Sequence, residues 1–424
     1  MCIRDRWKII YFTVFIALIV AGFASLYFLG YMRGIAGKFI SVINPVAREN
    51  APIIMSVQEH RLTSWSSLYY EYGIALVLAP IGFFFAAGNL TKKNIFLILF
   101  GITALYFSCS MVRLLVLSTP AIGLLAGVGT VGVLRPFIMF LKGRRILPTR
   151  KGYVGLIGKE FGAVPIFLCF ILLMANFAFP FPKVYNHAYS PTTLLTGSMP
   201  VKPPEPITEW IDALTWIRTN LPPDAVIFSW WDYGYWITVE GNRTSVADNA
   251  TFNTTQIAII GRIFMENTTN ALELLKTYMK KPGYILVFLT VDTRLSQLGY
   301  PLYGWGDEGK WQWMLRIAEG EFNLNWDENN FYNFTRADEL SRQRGAYRIW
   351  DEAWLARGQE ALIYKLMYKA RFVVLDSMGK HVSDPTSNDT LFNDHFILKY
   401  PLHLEPKSYH DYYLPLIAIY EIKY

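Results

Sequence analysis

NIFLILFGITALYFSCSMVRLLVLSTPAIGLLAGVGTVGVLRPFIMFL, residues 94–141, is the stretch that decides the fold. Arg113 and Arg135 are its only charges. Asn94–Val112 is uncharged, and so is Leu114–Leu141 apart from Arg135. Each is long enough, as a helix, to cross the roughly 30 Å hydrocarbon layer of a bilayer. Working outward, three more runs of this kind appear: Ile9–Tyr31, Tyr72–Thr91 and Phe161–Pro182. A buried core helix can imitate one such run, but not five in succession. Residues 1–182 are therefore predicted to form a polytopic α-helical membrane domain of about five spans. No comparable run follows Pro182, so residues 183–424 are expected to form a water-facing domain.

Composition and charge agree with that division. Of 424 residues, 53% are hydrophobic, and the mean hydropathy is +0.24, above what an ordinary soluble domain carries. Residues 1–182 hold 17 Lys/Arg against 5 Asp/Glu, whereas residues 183–424 hold 23 against 28. The basic excess sits in three loops: Arg4, Arg6 and Lys8; Lys92 and Lys93; Lys142, Arg144, Arg145, Arg150 and Lys151. The positive-inside rule makes these loops cytoplasmic. Five crossings then place the loop 32–71 and the whole C-terminal domain outside the cytoplasm, in a multi-pass protein of the cell membrane. The basic balance follows from topology and gives no reason to expect nucleic acid. Cys2, Cys109 and Cys169 all lie in the membrane part, so the outer domain must fold without disulfides. Seven Asn-X-Ser/Thr triplets, starting at Asn89, Asn242, Asn249, Asn253, Asn267, Asn333 and Asn388, are weak support for an extracytoplasmic address.

Within the outer domain, Thr208 can cap a helix with Trp210, Leu214, Ile217 and Leu221 on one face, stopped by Pro222-Pro223. A short strand, Ala225–Phe228, follows. Tyr284–Leu289 and Phe372–Leu375 read as further strands, each preceded by a helical segment (Thr268–Lys281 and Glu360–Lys369). Short β elements are expected over Phe396–Tyr424. This alternation predicts a mixed α/β domain whose ligands gather at the carboxyl ends of strands.

That is where Trp230-Trp231-Asp232-Tyr233-Gly234 falls. An indole N–H only donates hydrogen bonds and an ionised carboxylate only accepts them, so the cluster can clasp a small hydroxyl from both sides. A half-buried aromatic turn would use the same residues. Further on, the spacing of Asp307, Lys310 and Met314 puts them on one helical face, as any amphipathic helix with an ion pair would. In the loop 32–71, Glu59 and His60 lie in an otherwise apolar stretch; taken alone, Glu59 reads as a loop charge beside Arg61. Arg113, between two apolar runs, is a costly charge at the outer boundary of the membrane. It is either functional or snorkelling to the interface.

Four of these stretches resemble motifs of the catalytic subunit of oligosaccharyltransferase, in family order. Ser229–Gly234 is similar to that family's acceptor-reading motif, and Asp307–Met314 to the Asp-X-X-Lys-X-X-X-Met pattern beside it. Ser56-Val57-Gln58-Glu59 resembles its Ser-Val-Ser-Glu motif, with Gln at 58 as a departure, and Met111-Val112-Arg113-Leu114 its donor-phosphate string. The resemblance implies a membrane domain of GT-C type, found in cell or endoplasmic reticulum membranes. It implies transfer of an oligosaccharide from a lipid-linked (polyprenyl or dolichyl) donor to acceptor polypeptides bearing Asn-X-Ser/Thr. Glu59 would touch the acceptor amide near a Mn²⁺ or Mg²⁺ ion, and Arg113 would hold the donor phosphate. Trp230, Trp231 and Asp232 would read the hydroxyl, with Asp307, Lys310 and Met314 shaping the pocket. Because the family carries further Asp-X-Asp/Glu motifs upstream, the chain is expected to be the C-terminal portion of a longer enzyme, with the remaining metal ligands in the part before it. Another lipid-linked-sugar glycosyltransferase would account for Glu59 and Arg113 but not for the paired tryptophans. A non-catalytic sequon-binding membrane module would account for the tryptophans without the upstream acids.

Overall fold

The computed structural model describes residues 3–28, 42, 44–45, 52–142, 160–175, 206–251, 253–279, 281–297 and 299–424. Much of the loop 32–71, the basic cluster from Arg144 to Lys151 and the end of the Phe161–Pro182 run lie outside them. The chain divides into two units, Met1–Ser190 and Pro191–Tyr424.

In the first unit the apolar runs are helical: α1 (Ile3–Phe28), α2 (Trp65–Tyr72), α3 (Ala75–Ala87), α4 (Lys92–Ser110), α5 (Leu115–Leu141) and α6 (Glu160–Met174). Among the described residues, Lys92–Ser110 and Val112–Leu141 are each long and apolar enough to cross a membrane. The Tyr72–Thr91 run takes a different form. It begins at a bend of 86° between α2 and α3, where Gly73 adopts φ 52°, a left-handed conformation that glycine enters without a Cβ penalty. The α3–α5 crossing is set by glycine as well. A Cβ at Gly82 would stand 1.7 Å from the Leu125 carbonyl oxygen, and one at Gly129 would stand 2.3 Å from that of Leu78. Small residues of this kind let apolar helices pack backbone to backbone where no hydrophobic force separates lipid from protein. A buried hydroxyl group closes the same bundle: Ser108 Oγ donates to Ser118 Oγ at 2.7 Å, and Tyr72 Oη lies 2.5 Å from Ser118 Oγ.

The second unit is built on a five-stranded mixed sheet in the order β2-β1-β3-β5-β4. Here β1 is Val226–Phe228, β2 Thr244–Ser245, β3 Tyr284–Asp292, β4 Phe396–Tyr400 and β5 Tyr413–Ile422. β1 runs parallel to both β2 and β3, while β5 is antiparallel to β3 and β4. β3 reads as an almost unbroken apolar run, and Ile285–Leu289 are fully buried, as a strand covered on both faces requires. The helices that position the site are α7 (Glu209–Asn220), α8 (Gly234–Val239), α9 (Thr254–Met265), α10 (Thr268–Tyr278), α11 (Asp307–Phe322), α12 (Phe334–Arg344) and α13 (Leu362–Ser377). Thr208 precedes α7 but does not cap it; its hydroxyl donates to Asp212 at 2.9 Å instead.

Two sequence expectations are corrected here. Phe372–Leu375 is not a strand but the last part of α13. Leu362, Leu366, Ala370 and Val374 are buried at helical spacing, so the buried face of the preceding helix continues through a segment whose β-branched residues alone suggest a strand. Of the short β elements expected over Phe396–Tyr424, β4 is one, but the rest is a single strand of ten residues, β5, passing through Pro415. β4 pairs with Ile419–Ile422 only. Pro415 therefore lies where β5 has a neighbour on one side, a place where a missing N–H is tolerated.

Candidate functional site

The tryptophan motif lies at the carboxyl end of β1, an inner strand. Ser229 and Trp230 leave the strand, Trp231–Tyr233 make one turn of 3-10 helix, and α8 begins at Gly234. Glycine is required at 234 because a Cβ would stand 2.2 Å from the Ala247 carbonyl oxygen and 2.5 Å from the Asp248 Cα. The Asp248 segment thus packs directly beneath the turn. Asn249 ties it down, donating from Nδ2 to the Asp232 carbonyl at 3.0 Å and accepting from the Tyr235 amide at 3.4 Å.

Both indoles are buried, at 2% and 6% exposure for Trp230 and Trp231. Their rings are tilted, with centroids 6.2 Å apart. Trp231 Nε1 is a buried donor with no hydrogen-bond partner among the described residues. Such an N–H is costly unless something outside the fold accepts from it. Beside it in sequence, Asp232 Oδ2 lies 2.7 Å from Lys310 Nζ, with the two side chains 27% and 24% exposed. An orphan donor and a partly open carboxylate on one turn are the minimum needed to hold a hydroxyl, which both accepts and donates.

Lys310 comes from the first turns of α11. Its ammonium also donates to Tyr233 Oη at 3.0 Å and stands 4.5 Å from the centre of that ring. Tyr233 Oη in turn donates to Asp307 Oδ1 at 2.6 Å, and Asp307 Oδ2 accepts the Phe288 amide of β3 at 2.9 Å. The structure therefore brings Asp232, Tyr233, Asp307 and Lys310 into one group, with Trp231 on the same turn as Asp232 and Tyr233. Met314, on the same helix, is fully buried with its backbone against Gly261 of α9.

In the first unit, Glu59 and Arg113 sit on two short 3-10 turns, Gln58–His60 and Val112–Leu114. The segments are stitched together: the Val112 amide donates to Arg61 O at 3.1 Å and the Thr63 amide to Cys109 O at 3.3 Å. The Thr63 hydroxyl adds a bond to Ser108 O at 2.5 Å. Both Glu59 and Arg113 are exposed. Among the described residues no three His, Cys, Asp or Glu side chains come together in a way that could hold a metal ion.

Residues 4–126 match the family described as oligosaccharyl transferase STT3, N-terminal. The chain is 32% identical to the STT3 subunit of the Dictyostelium discoideum dolichyl-diphosphooligosaccharide–protein glycosyltransferase, over 86% of this chain and 47% of that one. Against the STT3B subunit of Oryza sativa subsp. japonica the identity is 30%, over 80% and 46%. Over these matched stretches the chain is similar to STT3 subunits. It spans about half the length of the curated relatives it matches. Among solved structures, the archaeal oligosaccharyltransferase AglB from Archaeoglobus fulgidus, in complex with an inhibitory peptide and a dolichol-phosphate, is 16% identical with a TM-score of 0.47, over 83% of this chain and 42% of that one.

Two residues of this chain matter more than their sequence context suggests. Tyr233 is the hub between Asp307 and Lys310, a role invisible until residues distant in sequence are brought together. Glu308, beside Asp307, is fully buried and collects the amides of Thr290, Gly304 and Gly306 at 3.0, 3.1 and 3.0 Å together with the Thr290 hydroxyl. Burial pushes the carboxyls of this pair up. For Asp307 it does so to about 7, against the opposing pull of Lys310 and the Tyr233 hydrogen bond; Glu308 is raised for the same first reason.

A carboxyl whose folded pKa lies above its unfolded value binds a proton more readily when folded. Its contribution to stability is complete below about pH 4 and is lost as pH rises through about 7. Chemical denaturation is expected to show the second unit losing stability from mildly acidic to mildly alkaline pH, and Asp307→Asn to flatten most of that slope. An unchanged slope in the variant would remove Asp307 as its source.

Proposed function

We propose that this chain takes part in the transfer of an oligosaccharide from a polyprenyl or dolichyl (pyro)phosphate carrier to the amide nitrogen of Asn in Asn-X-Ser/Thr. The observation that carries the reading is the unpartnered, buried Trp231 N–H beside the Asp232 carboxylate on Lys310. Trp231 would donate to the acceptor's Ser/Thr oxygen and Asp232 would accept its proton. Tyr233 and Asp307 would hold Lys310, and so Asp232, in place. Trp230 would wall the pocket, and Met314 would support it from within the core.

In the same reading the apolar helices belong to a GT-C type membrane domain of five crossings over residues 1–182. The domain 183–424 lies on the extracytoplasmic face, or in the lumen if the chain is eukaryotic. Arg113 meets the donor phosphate there, because its planar donors match phosphate oxygens. Glu59 faces the acceptor amide, whose nitrogen lone pair is delocalised and needs a carboxylate to accept from its N–H groups. A divalent cation, Mn²⁺ or Mg²⁺, would supply positive charge to the departing phosphate. Of the residues named, Glu59 could contribute one ligand, and the described residues do not complete a set.

The test uses the whole chain in detergent and two peptides differing only in Thr→Val at the third position of the sequon. The threonine peptide should bind at least about tenfold more tightly, because valine leaves both Trp231 and Asp232 unmatched. Equal affinity for the two peptides would overturn the hydroxyl-reading role.

A further inference from the structure

A cavity in the second unit is lined by Asp292, Arg294, Arg344, Gly345, Tyr347 and Arg348, among others. It lies at the end of β3, four residues on from the Phe288 amide that holds Asp307. Asp292 is its floor. The carboxylate is fully buried and accepts from two guanidiniums at once: Arg348 Nε at 2.6 Å, and Arg294 Nε and Nη2 at 3.2 Å each. One arginine would neutralise one carboxylate. The second leaves the cavity with net positive charge, and Arg344 adds a third guanidinium, itself paired with Glu352 at 2.9 Å.

The two arginines on Asp292 are held by the backbone. Asp292 caps the following 3-10 turn, accepting the Arg294 amide at 3.1 Å. Arg348 precedes Ile349, which exchanges both amide bonds with Leu302 at 2.9 and 3.2 Å. Its guanidinium lies 3.8 Å from the centre of the Tyr303 ring, and Tyr303 is stacked in turn on Trp305. Gly345, at φ +67°, turns the chain from α12 into this arrangement. Arg294 Nη1 and Arg348 Nη2 make no hydrogen bond among the described residues. The result is a pair of arginines paired with one carboxylate, each with donors left over, around a cavity with excess positive charge.

We infer that this cavity binds an oxyanion of phosphate type. The donors arrive from two separate elements, which suits an anion with acceptor oxygens spread around one centre. A planar carboxylate is already supplied from within by Asp292, and guanidinium is the side chain best fitted to phosphate oxygens. The inference does not depend on the proposed transfer reaction or on the tryptophan pocket.

The experiment is a binding titration of the whole chain in detergent with inorganic phosphate, against chloride at matched ionic strength, alongside a short-chain phosphatidic acid. Saturable binding of inorganic phosphate is expected, weakened about tenfold in Arg294→Gln, which leaves Asp292 paired with Arg348. Arg348→Lys should also weaken it, keeping the charge on Asp292 while losing the planar fork. Binding confined to phosphatidic acid and weakened by the same substitutions would support the same chemistry on a lipid headgroup. Binding no better than chloride, or Arg294→Gln and Arg348→Lys proteins that bind like the parent, would overturn the inference.

Discussion

Trp231→Phe is expected to erase the preference for a threonine over a valine sequon peptide while leaving the fold intact. Phenylalanine keeps an aromatic ring at a position only 6% exposed, and the indole N–H it lacks bonds nothing among the described residues. Removing an N–H already unpaired in the free chain costs the fold nothing in hydrogen bonding. Any loss must therefore show when a ligand that would have accepted from it is present. Asp232→Ala should be more severe for binding, because it removes the acceptor and also releases Lys310 from its 2.7 Å contact. Losses of roughly tenfold for the tryptophan variant and roughly a hundredfold for the aspartate variant are the scale set by one neutral and one charge-assisted hydrogen bond. The readout is peptide affinity beside a thermal melt. A Trp231→Phe protein that melts like the parent and still prefers threonine would remove the indole from the hydroxyl-reading role.

The largest effect on stability is expected from Glu308→Leu. The carboxylate gathers three backbone amides and a hydroxyl, and leucine leaves all four donors unmatched, three of them buried and that of Gly304 partly so. At about 1–3 kcal/mol for each unsatisfied group, the sum rivals the whole stability of a typical domain. Proteolysis and loss of the melting transition in the second unit are the expected outcomes. Glu308→Gln separates hydrogen bonding from charge. It keeps an acceptor oxygen for the same donors, and burial already favours the uncharged carboxyl, so the amide should be tolerated. A Leu variant as resistant as the parent, or a Gln variant as damaged as Leu, would contradict this account.

What could and could not be read from the residues has a physical pattern. The helical runs of 94–141 were readable because excluding charge from a long stretch is a local property. So was the strand before Trp230, bounded by prolines on one side and a polar turn on the other. The bend at Gly73 was not readable, because an isolated glycine in an apolar run is as compatible with a straight helix. Phe372–Leu375 misled because its β-branched residues speak for a strand while the helix periodicity of the preceding ten residues governs burial. At the site, Trp231, Asp232 and Lys310 carry their chemistry on their side-chain types. Tyr233 and Glu308 do not; their roles are defined by partners supplied from β3 and the Gly304–Gly306 turn, and only the folded chain brings those together. Met314 shares a face with Asp307 and Lys310 as its spacing predicts, but Asp307 and Met314 are both fully buried and only Lys310 between them is partly exposed, so the spacing alone does not tell which member of the face is open.

β5 lies directly against β3 along the whole strand, pairing Asp292 with Tyr413 at one end and Tyr284 with Glu421 at the other. Phe288, whose amide anchors Asp307, is opposite Ile417. A growing polypeptide that has reached Lys310 thus owns every side chain of the tryptophan site without yet owning the site. The strand that firms up its foundation is made much later, and pairing across so long a separation is slow to form. Injury to those late residues, by truncation or by a frameshift, would be felt at Trp231 as surely as a substitution there. The foundation of the Trp231 turn is thus complete only once residues 413–422 have been made.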